Sequence, residues 1–239
     1  AYGHQYCDFS DGTLVCLTPG ESISMKENNK EFPSKGWILA FHPDLICGTP
    51  LGLNIHNYTF FSYCPEEALH LSLREKQIIL EFLERIRQEL ERCIDRHSKK
   101  IISKYIELLL DYCTRFYERQ FITRSEVNKK VFREFNHLLD NHFNVKVSLS
   151  TDVLSDEYCA NLLHLSPAYF NDLLKYEIGK EFKEYIQFKR FEIAKGWLVN
   201  TDKTLGQIAQ ELGFSNSQYF SRLFKKITGC SPNEFRMPN

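Results

Sequence analysis

A chain of 239 residues can bury one large core or two ordinary ones, and its 43% apolar and 26% charged residues are the balance of a soluble globular protein. No apolar run reaches the roughly 18–20 residues of a membrane helix, so no membrane partner is expected. The net charge of −1 is uninformative about nucleic acid, but residues 203–239 carry five Lys/Arg against two Asp/Glu, whereas residues 1–149 carry nineteen against twenty.

The opening AYGHQYCDFSDG lacks the basic, apolar and cleavage-site order of a signal peptide, so a cytoplasmic location is expected. The eight cysteines stand singly with no C-x-x-C pair, which reads as reduced, mostly buried thiols rather than a disulfide framework or zinc site. Residues 1–65 read as strands and turns. GTLVCLTPGESI and KGWILAFHPDLICGTPLG are short apolar runs broken by Pro-Gly, His-Pro and Thr-Pro, and six of the eleven glycines precede residue 66. A small β-rich module is expected there.

Helices follow over residues 72–140. Ser72 and Glu75 form a capping box ahead of an apolar face of Ile79, Phe82, Leu83, Ile86, Leu90 and Ile94. The heptad-like spacing of that face allows packing within the monomer or against a second copy. A second helix carries Ile102, Tyr105, Ile106, Leu109, Tyr112, Cys113 and Phe116, and a third carries Val127, Val131, Phe135, Leu138 and Leu139. Residues 141–152 lack a sustained period and read as an interdomain linker.

From about residue 153 the chain repeats itself. LHLSPAYFNDLLKYEIGKEFKEY and LGFSNSQYFSRLFKKITGCSPNEF align without a gap from Tyr169 and Tyr219 onward, pairing Lys175 with Lys225 and Gly179 with Gly229. Each copy follows a short helix, and EFKEYIQFKRFEIAKGWLV joins them as a helix of about twenty residues, roughly 30 Å long. Helix, tight turn and second helix with a polar outer face is the layout of a helix-turn-helix. In the second copy Phe220, Leu223, Phe224 and Ile227 fall on one face, packed by Ala209, Leu212 and Phe214. Ser217, Gln218, Ser221, Arg222 and Lys225 fall on the other, where Gln and Arg can pair with base edges in a major groove. Lys226 and Arg236 suit phosphate contacts, while Gly179 and Gly229 suit left-handed helix caps. One DNA turn is about 34 Å, so the joining helix could set two reading helices in successive groove segments.

IAQELGFSNSQYFSRLFKKITGCSPNEFR resembles the signature of the AraC/XylS family of bacterial transcription regulators, over residues 153–237. The resemblance implies that Ser217, Gln218, Ser221, Arg222 and Lys225 form the second reading helix, and Pro167, Ala168, Asn171, Asp172 and Lys175 the first. Asp172 departs from it, standing opposite Arg222 where a basic residue is common. Its carboxylate can accept from cytosine N4 or pair locally with Lys175 or Tyr176.

The same resemblance implies, for residues 1–140, a cupin-like sensor and dimerisation region: β-rich over 1–65, helical over 72–140. About 65 residues are few for a complete barrel, so either its first strands lie before Ala1 or the module is reduced. The implied protein is an α+β, nucleoid-associated homodimer, an activator by family habit, with double-stranded DNA, a small-molecule effector and RNA polymerase as partners. Nothing in the residues separates activation from repression. Trp37, Phe41, His42, Tyr58 and Phe60 are the residues available to line an effector pocket. A cupin enzyme would need closely spaced His ligands, but His4, His42 and His56 stand alone, so no metal, cofactor or catalytic residue is expected. A regulator whose N-terminal region only dimerises, and a protein-interaction module without DNA, are the competing readings.

Overall fold

The structure is a computed structural model and describes residues 12–21, 36–144 and 154–236. Strand structure among these is limited to β1 (Thr13–Leu14) and β2 (Leu69–His70), antiparallel with Thr13 opposite His70. Between them the regular structure of the described residues is helical and begins at Pro43: α1 (Pro43–Ile46), α2 (Pro50–Asn54), and 3-10 turns at Ile55–Asn57, Thr59–Ser62 and Pro65–Glu67. The expected β-rich, cupin-like module is therefore not what these residues form; residues 1–11 and 22–35 of it lie outside the described residues.

The prolines explain the difference. Pro43, Pro50 and Pro65 each occupy a first helical turn. The side chains of His42 and Thr49 accept from the N–H groups of Asp44 and Gly52. Proline has the φ of a first helical residue and lacks only an N–H that would be unbonded there. The His-Pro and Thr-Pro dipeptides that read as strand breaks are helix starts, whereas Pro19-Gly20 is the turn expected of it. Gly52 permits the sharp α1–α2 corner, since a Cβ there would lie 2.2 Å from the Ile46 carbonyl oxygen.

The chain divides into two compact units, residues 1–128 and 129–239. In the first, α3 (Leu73–Glu91) opens on the expected capping box, with Ser72 accepting from the Glu75 N–H and Glu75 from the Ser72 N–H. It packs on α4 (Ser98–Thr123) through Ile79, Ile86, Ile102, Ile106, Leu109, Cys113 and Phe116, all buried. Leu90, in the last turn of α3, and Ile94, beyond its end at Glu91, both expected on this face, are 57% and 77% exposed. Polar side chains tie β2 to α4. Gln120 accepts from the His70 N–H and donates to the Ala68 carbonyl, while Arg119 donates to the His70 carbonyl and pairs with Glu75 at 2.7 Å.

Thiols expected to be mostly buried are so only at Cys113 and Cys159 among the described cysteines. Cys47, Cys64 and Cys93 are exposed. Burial pushes the thiol of Cys16 up to about 12 and that of Cys159 to about 11.

The second unit holds most of α5 (Ser125–Asn144), then α6 (Asp156–Leu162), α7 (Pro167–Ile178), α8 (Phe182–Asn200), α9 (Leu205–Glu211), α10 (Ser217–Thr228) and α11 (Pro232–Arg236). The expected linker begins inside α5, whose helix runs to Asn144; residues 145–152 of it lie outside the described residues. Two cores are threaded by α8. Its first half gives Phe182, Tyr185 and Ile186 to a cluster with Phe135, Leu139, Ala160, Phe170 and Leu174. Its second half gives Phe191, Ala194 and Leu198 to a cluster with Ile208, Ala209, Leu212, Phe220 and Phe224.

Candidate nucleic-acid interface

Each helix of the two motifs is opened by a side chain of the right chemistry. Ser155, Ser166, Thr204 and Asn216 accept from the backbone N–H three residues on, at the starts of α6, α7, α9 and α10. Both long motif helices, α7 and α10, run twelve residues and close on a left-handed glycine, Gly179 at φ 65° and Gly229 at φ 84°. Both turns also pass through the left-handed region, at His164 (φ 56°) and Gly213 (φ 73°).

Aromatic contacts then fix each long helix against a long partner. Phe170 of α7 meets Phe135 of α5 edge-on at 5.0 Å, and the Tyr185 hydroxyl donates to Asn136 at 2.6 Å. Phe220 of α10 stacks on Phe191 of α8 at 6.2 Å, and Phe224 meets Phe235 of α11 edge-on at 5.5 Å. So α5 backs the first motif as α8 backs the second. Phe220 and Phe224 are fully buried, but Ile227, expected with them, is 51% exposed.

With that face buried, Gln218, Arg222, Lys225 and Lys226 are exposed on α10, and Ser217 is half-buried. The half-buried Ser221 hydroxyl donates back to the Ser217 carbonyl at 2.8 Å. Lys225 and Lys226 lie in the last turn, where the carbonyl end of the helix favours cations. Tyr219, not singled out from sequence, is 40% exposed, and the Arg222 guanidinium lies 5.5 Å from its ring centroid. Its i, i+3 relation to Arg222 was the available signal.

The first motif is less free. Lys175 is exposed, while Pro167, Ala168 and Asp172 are half-buried. The Asn171 amide donates to the Asp156 carboxylate at 2.8 Å, which engages it within the motif. Arg236, expected at phosphate, donates from Nε and one terminal nitrogen to the carbonyls of Leu198 and Lys203, tying α11 to the end of α8.

The residues expected around an effector have local roles. Phe60 is core, stacked on Tyr117 at 5.3 Å. Tyr58 donates to Asp111 at 2.8 Å. His42 caps α1, Phe41 packs at the core margin, and Trp37 is 55% exposed.

A family model described as "Helix-turn-helix domain" matches residues 159–237. The chain is 33% identical over 111 residues to the HTH-type transcriptional regulator YtdP of Bacillus subtilis (strain 168), covering 46% of this chain and 14% of the relative. Over 225 residues, 94% of this chain, it is 24% identical to the HTH-type transcriptional regulator YijO of Escherichia coli (strain K12), of which it covers 76%. The arabinose operon regulatory protein of Salmonella typhimurium (strain LT2) is 32% identical over 101 residues, 42% of this chain and 32% of that relative. The chain thus spans a small share of YtdP and about a third of the arabinose regulator.

Proposed function

We infer, from residues 159–237 being a helix-turn-helix domain of the AraC/XylS kind, that this chain regulates transcription by sequence-specific DNA binding. The observation that carries the reading is the duplication of one device on one spacer. Two capped twelve-residue helices, α7 and α10, are held against opposite halves of the nineteen-residue α8. At 1.5 Å per residue α8 is roughly 28 Å long, close to the rise of one DNA turn. Two reading helices so held would enter successive major-groove segments on one DNA face.

In this reading α10 makes the principal base contacts. Arg222 and Gln218 have the fork geometries that pair with guanine and adenine edges, while Lys225 and Lys226 neutralise phosphates. Residues 1–140 would bring two copies together, a reading supported by the exposed Leu90 and Ile94 beyond the α3 core. Response to a small-molecule signal, and contact with RNA polymerase, rest on the family resemblance alone.

The test is equilibrium binding to duplex DNA across a salt series. Arg222→Ala is expected to lose roughly 1–3 kcal/mol for the preferred site and relax preference at one base position. Lys226→Ala is expected to weaken all sequences alike and flatten the salt slope. The mass of the complex by sedimentation reads whether one or two copies bind. An Arg222→Ala protein that bound preferred and random duplexes as the parent does would remove α10 as the reading helix.

A further inference from the structure

A half-open cavity of about 370 Å³ lies on one flank of the second motif. Its polar wall is formed by Lys183, Gln187 and Arg190 of α8, Ser215 of the turn before α10, and Tyr219 of α10 itself, with Gly213, Phe214 and Leu223 completing the lining. The three α8 residues stand at i, i+4 and i+7, a polar stripe on a helix that sequence alone suggests is only a spacer. Two of the lining residues are cationic and none is acidic. Arg190 lines this wall, and its Nε is buried with no hydrogen-bond partner among the described residues. A buried donor left unpaired costs about 1–3 kcal/mol, more on a charged group, so Arg190 brings an incompletely paired cation to the cavity wall beside Lys183.

Tyr219 decides which acceptor. It lines the cavity and also flanks Arg222 on the proposed reading face. A helix of about 10–12 Å diameter fills a major groove about 12 Å wide, so the groove's walls, which are phosphodiesters, lie against the residues flanking the helix. We propose that this cavity seats one backbone phosphate of the bound DNA, held by Lys183 and Arg190 beside the turn that opens α10. The inference rests on the DNA-binding reading above and deepens it. Fixing one strand at this point would set the depth and register at which α10 enters the groove.

The experiment uses the full chain and two 30-base-pair duplexes, a preferred site and a random sequence. Lys183 is exposed, so Lys183→Gln avoids disturbing the core. It should weaken binding to both duplexes alike, by about eightfold at 0.1 M salt, and lower the slope of log affinity against log salt by about 0.9, the loss of one phosphate contact. Replacing single phosphates of the preferred duplex by uncharged methylphosphonate should reveal one position that weakens the parent chain but not Lys183→Gln. A thermal shift with inorganic phosphate alone separates a DNA phosphate from a free anion. Stabilisation lost in Lys183→Gln without any change in DNA affinity or slope would overturn the proposal in favour of a small-anion site. If the parent binds duplex and Arg222→Ala relaxes its preference, yet Lys183→Gln matches the parent in affinity and slope, the phosphate seat fails while the DNA-binding reading stands. If the parent binds neither duplex, both fail.

Discussion

His164 holds φ 56° at the turn of the first motif, where Gly213 holds φ 73° at the turn of the second. For an L-residue the left-handed region costs roughly 1–2 kcal/mol, because Cβ crowds the following carbonyl oxygen. Glycine avoids that crowding but loses more chain entropy on folding, by roughly 0.5–1 kcal/mol. The His164 side chain is exposed, so its replacement leaves no void. His164→Gly should therefore stabilise the first motif by about 0.5–1 kcal/mol. Urea unfolding would show a raised midpoint at unchanged slope, and a lowered midpoint would mean that the imidazole makes a stabilising contact outweighing its backbone strain.

At the scale of an element, α10 separates what periodicity can and cannot say. Phe224 is fully buried among Phe191, Phe220 and Phe235, so Phe224→Ala should cost about 3–5 kcal/mol. Ile227→Ala, at a half-exposed position on the same predicted stripe, should change stability by less than about 1 kcal/mol. Circular dichroism melts of the two variants side by side would decide it; equal losses would mean that the stripe is buried to its end. Periodicity gives each residue a direction, but only the neighbouring elements decide what lies in that direction. The cap at Ser72, the cap glycines and the Phe220–Phe224 face were legible because each depends on residues within one or two turns. Arg236 was not legible, because its partners at Leu198 and Lys203 lie 38 and 33 residues away. The α8 stripe of Lys183, Gln187 and Arg190 follows a regular spacing, but it gains meaning only when the turn at Gly213 is folded beside it. The prolines before residue 66 misled for a related reason. Proline marks an edge, and whether a strand ends there or a helix begins depends on whether the preceding side chain caps.

For the whole molecule, the boundary between units carries a consequence for the half that holds the two helix-turn-helix motifs. Sequence periodicity assigns Phe135 and Leu139 to a helix of the N-terminal region, and the change of composition near residue 141 suggests that the second domain starts after them. Both side chains are fully buried, in one cluster with Phe170, Leu174 and Tyr185, and the second unit begins at residue 129. A domain cut at residue 153 would expose the face of α7 that Phe135 covers at 5.0 Å and strip Tyr185 of its hydrogen bond to Asn136. Losing buried Phe and Leu side chains costs about 3–5 and 2–5 kcal/mol respectively, a large fraction of a small domain's stability of about 5–15 kcal/mol. Residues 129–239 produced alone should therefore unfold in one cooperative heat-capacity peak, whereas residues 153–239 should melt far lower or without a peak. The second motif has its own cluster around Phe191, Phe220 and Phe224 and does not use α5's buried pair. Amide exchange in the shorter fragment should accordingly remain slow in α9 and α10 while α6 and α7 lose protection. Equal melting of the two fragments would detach α5 from the first motif and return the domain boundary to the position that composition suggests.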